Sequence, residues 1–273
     1  MNKLILLVVI ITLCYPISLT AQLPTSPKSI DEYVILDTTR VVVKYSLYFV
    51  VNPEKPETID TDIVVLEIGH KVSKSYSYLL FKYDSIATAS TADNVPMLQK
   101  RVPPIEVFKN FPSGKNTVVH RTLSPGPIFM YEDDMNIDWT ILPERKQLFG
   151  YSSQKATTTF RGRTWEAWFT GQIPISDGPW KFHGLPGLIL EVSDDQNHFR
   201  FTIVGLSREK VPIKKWKWRY ERTTRENVND YMRRFNERPL EMLRQMGSGL
   251  HIAGRSQAEV ENFSFPHNPL ELE

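Results

Sequence analysis

Asp177 and His183 stand in a stretch that reads Asp-Gly-Pro-Trp-Lys-Phe-His. A carboxylate and an imidazole can shuttle a proton, and as an acid/base pair they would suit a hydrolase. Such chemistry needs both groups within hydrogen-bond reach of each other and of a nucleophile. The sequence supplies no motif for that third partner: it has no Gly-x-Ser-x-Gly elbow, no His-Glu-x-x-His pair and no phosphate-binding loop. The histidines (His70, His120, His183, His198, His251 and His267) are scattered singly, without metal-ligand spacing. Neither a metal nor a cofactor is expected, and no residue is assigned a catalytic role.

The same stretch lies in a loop from Ile173 to Gly187, where Pro174, Pro179 and Pro186 fix φ and Gly178, Gly184 and Gly187 admit unusual φ values. That density of restriction implies one rigid backbone path. Trp180, Phe182 and Leu185 are large apolar side chains within it. Two readings are open. The loop is a plug that closes one end of a sheet, which the gain from burying three such side chains favours. Or it is a ligand-facing lip, with Trp180 and His183 at a mouth.

Around this loop the elements are strands. Gln154 to Phe160 and Arg163 to Thr170 form a hairpin across Arg161-Gly162, and both arginines are expected in solvent. Leu188 to Val192 and Phe199 to Val204 form a second hairpin across residues 194–197. Val41 to Val50 is β-branched and aromatic, and Asp62 to Ile68 continues it as a meander. Residues 70–86 read as strand or short helix, residues 87–100 as loop. Pro104 opens a short helix over Ile105 to Phe111, followed by strands at Asn116 to His120 and Ile128 to Tyr131. The spacing of Thr223 and Glu226 suits a capping box. Val228, Tyr231, Met232 and Phe235 then mark an amphipathic helix that Pro239 breaks or kinks.

Lys215 to Tyr220 alternates basic and aromatic residues, placing Trp216 and Trp218 on one face of a strand. The simpler reading has the tryptophans facing the core and the charges facing water. The alternative is a contact with anionic lipid or lipopolysaccharide headgroups, with the tryptophans at the interface.

The chain begins Met1-Asn2-Lys3, runs apolar from Leu4 to Cys14 and reaches Ser18-Leu19-Thr20-Ala21. This is the order of a secretory signal peptide cleaved after Ala21. Cys14 is the single cysteine of the 273 residues, so a chain processed there keeps no thiol, disulfide or cysteine nucleophile. Lys plus Arg number 33 against 31 Asp plus Glu, a balance that gives no reason to expect nucleic acid as a partner.

Residues 184–189 spell Gly-Leu-Pro-Gly-Leu-Ile. Together with Gly150-Tyr151, Gln154 to Thr157, Phe160 to Arg163, Ala167 to Thr170 and Ile173-Pro174-Ile175, this resembles the GLPGLI family of exported Bacteroidetes proteins. The match is specific from about Asp138 to Val204, with Ser153 where many relatives have a cysteine. The resemblance implies an envelope location, a mostly β fold and a setting near outer-membrane receptors or transporters. It implies no established activity.

The expected fold is mainly β (α+β), a curved antiparallel sheet or half-barrel with a few helices, including a C-terminal amphipathic helix. The expected organisation is a signal peptide over 1–21, one β-rich domain over 22–246 and a loosely ordered tail over 247–273. The expected role is a periplasmic, non-enzymatic protein that binds a hydrophobic or peptide-like ligand, a lipid, or an outer-membrane partner. The candidate contact residues are Asp177, Trp180, Phe182, His183, Leu185, Trp216 and Trp218. The competing roles are an envelope assembly factor acting through the basic-aromatic strand and, less favoured, a hydrolase.

Overall fold

The computed structural model describes residues 26–90, 100–122, 126–247 and 262–273. The expected signal peptide and Cys14 lie outside the described residues. The first strands are β1 (Tyr33–Thr38), β2 (Val41–Asn52), β3 (Lys55–Ile68) and β4 (Ser73–Ser77), followed by helix α1 (Tyr78–Ala89). Then come β5 (Ile105–Lys109), β6 (Asn116–Arg121), β7 (Ile128–Asp133), β8 (Thr140–Leu148), β9 (Tyr151–Phe160) and β10 (Arg163–Thr170). The chain continues through β11 (Leu188–Asp194), β12 (Phe199–Ser207), β13 (Pro212–Trp216), β14 (Tyr220–Arg222), α2 (Arg225–Glu237) and α3 (Pro239–Gln245).

Twelve strands make one sheet in the order β14-β7-β6-β5-β4-β3-β2-β12-β11-β10-β9-β8. Every pairing in it is antiparallel except β14 with β7. The topology is two meanders, β2 to β7 and β8 to β12, joined where β2 pairs with β12. This order forces curvature. In a flat sheet β7 and β8 would lie ten strand spacings apart, roughly 48 Å. Residues 134–139, which join them, reach at most about 25 Å when fully extended. The sheet therefore curls until its two flanks approach, without closing into a barrel, as the expected half-barrel requires.

Alternation on the strands fills the hollow. Val43, Tyr45, Leu47, Phe49 and Val51 of β2 point inward at every second position, as do Val64, Leu66 and Ile68 of β3. Phe199, Phe201 and Ile203 of β12 and Trp165, Ala167 and Phe169 of β10 join the same core. Part of the outer face has its own cover. There β1 pairs with β13 as a two-stranded ribbon, and Phe108, Val119 and Ile128 pack with Leu36, Trp218 and Tyr220.

Four local expectations change. Residues Ile105–Lys109 are a strand, not a helix: they pair with β4 and β6, and Ile105 and Val107 turn inward while Phe108 serves the outer face. Lys215 to Tyr220 is not one strand, because β13 ends at Trp216 and β14 starts at Tyr220. The helix cap sits one residue later than expected: Thr224 is the N-cap and its side chain accepts from Asn227 N at 3.3 Å. Residues 262–273 are not a loose tail, since Phe265 is 5% and Leu270 8% exposed.

Candidate functional site

The curl of the sheet leaves a hollow that the loop between β10 and β11 enters. Lys109, the last residue of β5, points inward to meet it. Its Nζ donates to Asp177 Oδ1 at 2.5 Å, to the Gly178 carbonyl at 2.7 Å and to the Phe182 carbonyl at 2.7 Å. An ammonium has three donors, and all three hold the loop. Burial lowers the Lys109 pKa from its ordinary value, and Asp177 works against that shift. Asp177 also accepts from Gly178 N at 2.8 Å.

With the loop held this way, its aromatic residues are core. Trp180 is 4%, Phe182 0% and Leu185 1% exposed. Phe182 meets Trp165 edge to face at 4.8 Å between centroids and Trp180 at 5.1 Å. Trp180 adopts a left-handed backbone, φ 51°, fixed by a bond from its N to Ser75 Oγ at 2.9 Å. The geometry is that of the plug, and Trp180 does not stand at a mouth.

Asp177 and His183 face each other as an isolated antiparallel backbone bridge. Among the described residues no hydrogen bond joins their side chains. The His183 Nδ1 lies 3.0 Å from the Lys181 carbonyl, which only accepts, so Nδ1 carries the hydrogen. Burial and the Lys109 charge lower the His183 pKa, against the pull of that carbonyl and of Asp177. The carboxylate is committed to Lys109 and the imidazole to its own loop.

Trp216 and Trp218 lie apart from this loop, on the outer face. Trp216 is 5% exposed and donates from Nε1 to Glu106 Oε1 at 3.0 Å. Lys74 Nζ, 4.8 Å from the Trp216 ring, pairs with Glu106 Oε2 at 3.1 Å. Trp218 is half-buried, and its Nε1 donates to the Ser29 carbonyl at 2.6 Å. Lys214 lies over Tyr33 of the ribbon, and Lys215 over Tyr220 of β14. The expected site residues thus fall into two separate groups, one inside the curl and one under the ribbon.

The arginines expected in solvent are partnered instead. Arg163 is 4% exposed, and its Nη1 donates to Asp194 Oδ2 at 2.8 Å. Arg161 is half-buried and donates to Asp133 Oδ1 at 2.6 Å. The curl brings Asp133, at the end of β7, to the turn between β9 and β10.

Two openings among the described residues bear on function. A cleft of about 950 Å³ runs between β7, the β9–β10 turn and the start of α2, with Asp133, Asp134, Arg161, Arg222 and Arg225 on its walls. A smaller cavity of about 170 Å³ sits where the ends of β2, β5 and β6 meet α2 and residues 266–271. Phe49, Val51, Ile105, Phe199, Met232 and Leu270 give it an apolar lining. His120 and Asn236 line it too, and each has a buried polar atom without a partner, His120 Nε2 and Asn236 Oδ1. Burial lowers the His120 pKa to about 4, helped by the charges of Lys181 and His267. Asn236 is 2% exposed, and its Nδ2 donates to the Met232 carbonyl at 2.7 Å. Neither residue belongs to the expected contact set. Asn236 left a signal, standing four residues after Met232 on the apolar face of α2.

Among the described residues no group of three or more His, Cys, Asp or Glu side chains could hold a metal ion. No described helix is long and apolar enough to cross a membrane.

Comparison with solved structures gives a likeness in fold to PNGF-II. A C2 crystal form has a TM-score of 0.50 at 13% identity, covering 73% of this chain and 33% of that one. A P21 form has a TM-score of 0.49 at 13% identity, covering 73% and 34%. The chain thus spans about a third of the length of those structures. No curated protein matches it. Residues 158–191, from the end of β9 through the plug loop into β11, match the model of a family described as "Protein of unknown function (Porph_ging)".

Proposed function

We propose that this chain is an exported protein of the bacterial envelope, of the GLPGLI kind, that binds a small hydrophobic or peptide-like ligand without transforming it. On this reading it resides in the periplasm after cleavage behind Ala21, beside an outer-membrane receptor or transporter.

The observation that supports the binding role is the cavity of about 170 Å³ with His120 Nε2 and Asn236 Oδ1 unpartnered in it. Buried polar atoms are nearly always satisfied, and leaving one bare costs about 1–3 kcal/mol. A guest with an apolar body and a polar edge would relieve both. A dry cavity of about 150 Å³ accepts one benzene-sized ring, so the fitting guest is a single ring, a short acyl chain or one bulky peptide side chain.

The test is thermal stabilisation by phenol, indole, octanoate and phenylalanine amide. Wild type should gain stability with at least one of them. His120→Phe, which fills the cavity from within, should lose that gain. No gain in wild type, or an equal gain in His120→Phe, rejects the site. Export has its own test, the N-terminal residue of the chain recovered from cells: Gln22 agrees, and a retained Met1 rejects it.

A second reading is favoured by one observation. In β1, Val34 is 43% and Ile35 60% exposed, and they pair with Lys215 and Lys214. Aliphatic side chains beside lysines on a strand edge suit the assembly-factor role. Charge reversal at Lys214, Lys215 and Lys217 should then release the protein from envelope fractions, and unchanged association rejects that role.

A further inference from the structure

Residues 265–273 are held by the rest of the chain mainly through side chains. Among the described residues, two backbone–backbone bonds anchor the segment, Phe265 N to Asn236 O at 2.8 Å and Leu272 N to Arg161 O at 2.9 Å. Arg163 Nη2 donates to Asn268 Oδ1 at 2.7 Å and to the Pro269 carbonyl at 2.7 Å. Asn268 Nδ2 donates to the Val50 carbonyl at 2.7 Å. Leu270, 8% exposed, enters the core beside Trp180 and Phe201. Glu271 meets Lys181, with Arg225 at 3.4 Å and Arg161 at 3.8 Å. Asn229 Nδ2 and Arg225 reach the Glu273 carbonyl oxygen.

The cations that grip the segment do not depend on it. Arg163 keeps Asp194 at 2.8 Å. Lys181 and Arg161 share Asp133 at 2.5 and 2.6 Å. Arg225 has Glu226 at 3.2 Å. Withdrawing the segment therefore strands no buried cation, the usual reason why breaking an internal ion pair is ruinous. Lys109 and Asp177 are the contrast, since among the described residues neither has another ion-pair partner. The groove is also shaped for close approach: a Cβ on Gly162 would lie 2.8 Å from Leu272 Cβ and 3.1 Å from Glu273 Cγ.

We propose that this groove is a peptide-binding site for an extended Asn-Pro-Leu-Glu sequence, filled in cis by residues 268–273 and able to take the same segment from a second copy of the chain. The leucine is the apolar anchor and the glutamate the charged one. Arg163 reads the Asn268 side chain and the Pro269 carbonyl just before them. The segment also walls the smaller cavity, but the peptide test reads the groove whatever that cavity holds.

The test uses the full chain and a fluorescent peptide of residues 263–273. In wild type the resident segment competes at the roughly millimolar effective concentration of a tethered ligand and masks the groove. A chain carrying Leu270→Ala and Glu271→Gln should bind the peptide at least tenfold more tightly than wild type. A peptide carrying the same two changes should bind that variant at least tenfold more weakly. Leu272→Ala, at a side chain 54% exposed, should change peptide binding less than twofold. The proposal fails if the folded variant binds no better than wild type or does not distinguish the peptides. It also fails if the variant does not fold, because the segment is then part of the core.

Discussion

Lys109 donates to Asp177 across 2.5 Å although the two are 68 positions apart in the chain, and this contact sets the loop inside the curled sheet. Lys109→Met keeps the length of the side chain and removes the charge. It leaves a buried carboxylate and the Gly178 and Phe182 carbonyls without their donor. Loss of one partner of a buried pair costs about 3–5 kcal/mol. Urea denaturation should show a drop of that size, with loss of near-UV circular dichroism from Trp165 and Trp180. A change below about 1 kcal/mol would mean the loop is held by packing alone.

Gly187 ends the loop against β10. A Cβ there would lie 2.1 Å from the Thr170 carbonyl oxygen and 3.0 Å from Gly171 N, both backbone atoms that cannot step aside. Gly187→Ala should cost about 3 kcal/mol or more. Gly171→Ala, where the nearest atom is the Pro186 carbonyl oxygen at 3.8 Å, is the control and should stay within about 1 kcal/mol. Equal midpoints for the two variants would reject the close approach.

Ser153 is fully buried in β9, and among the described residues its Oγ reaches only the Tyr151 carbonyl, at 3.4 Å. So long a bond stabilises little. Cysteine is a small, apolar and readily buried replacement. Ser153→Cys should therefore alter stability by less than about 1 kcal/mol, measured under reducing conditions. A larger loss would show that the hydroxyl carries more than this one long contact.

Local features made much of the fold legible. The β9–β10 hairpin is announced by Arg161-Gly162, whose φ values of 54° and 75° suit a two-residue turn with both residues left-handed. The inward alternation of β2 and β12 is written in their own residues. Features decided by distant partners were not legible. Ile105 to Lys109 looks like a helix start until Lys109 finds Asp177 and Glu106 finds Trp216, 110 positions away. Arg161 and Arg163 look like solvated turn residues until the curl brings Asp133 to one and the fold brings residues 268–269 to the other. The edge strand β8 carries Pro143 and mostly exposed polar side chains, so no period-two signal marks it. The same logic hid the smaller cavity. His120 is an ordinary histidine in sequence and becomes chemically distinct only when helix α2 and residues 266–271 cover it.

Two buried groups should tilt stability against pH in opposite senses. Asp62, 2% exposed, has its pKa raised by burial from 3.8 to about 6. The unfolded chain releases this proton near pH 4 while the folded chain holds it, so its contribution to stability falls as pH rises from about 4 to 6. His120 behaves the other way: folded it resists protonation down to about 4, whereas an unfolded histidine takes up its proton near 6.5. Its contribution is full above 6.5 and is lost as pH falls towards 4. Difference curves separate them. Asp62→Asn should match wild type near pH 3.5 and exceed it above pH 6, by at most about 3 kcal/mol. Wild type minus His120→Phe should instead rise with pH between 4 and 6.5. Denaturation midpoints across pH 3.5–7.5 measure both. A flat difference curve for Asp62→Asn would mean that this carboxyl ionises as easily folded as unfolded, and that the middle of β3 is wetter than its burial implies.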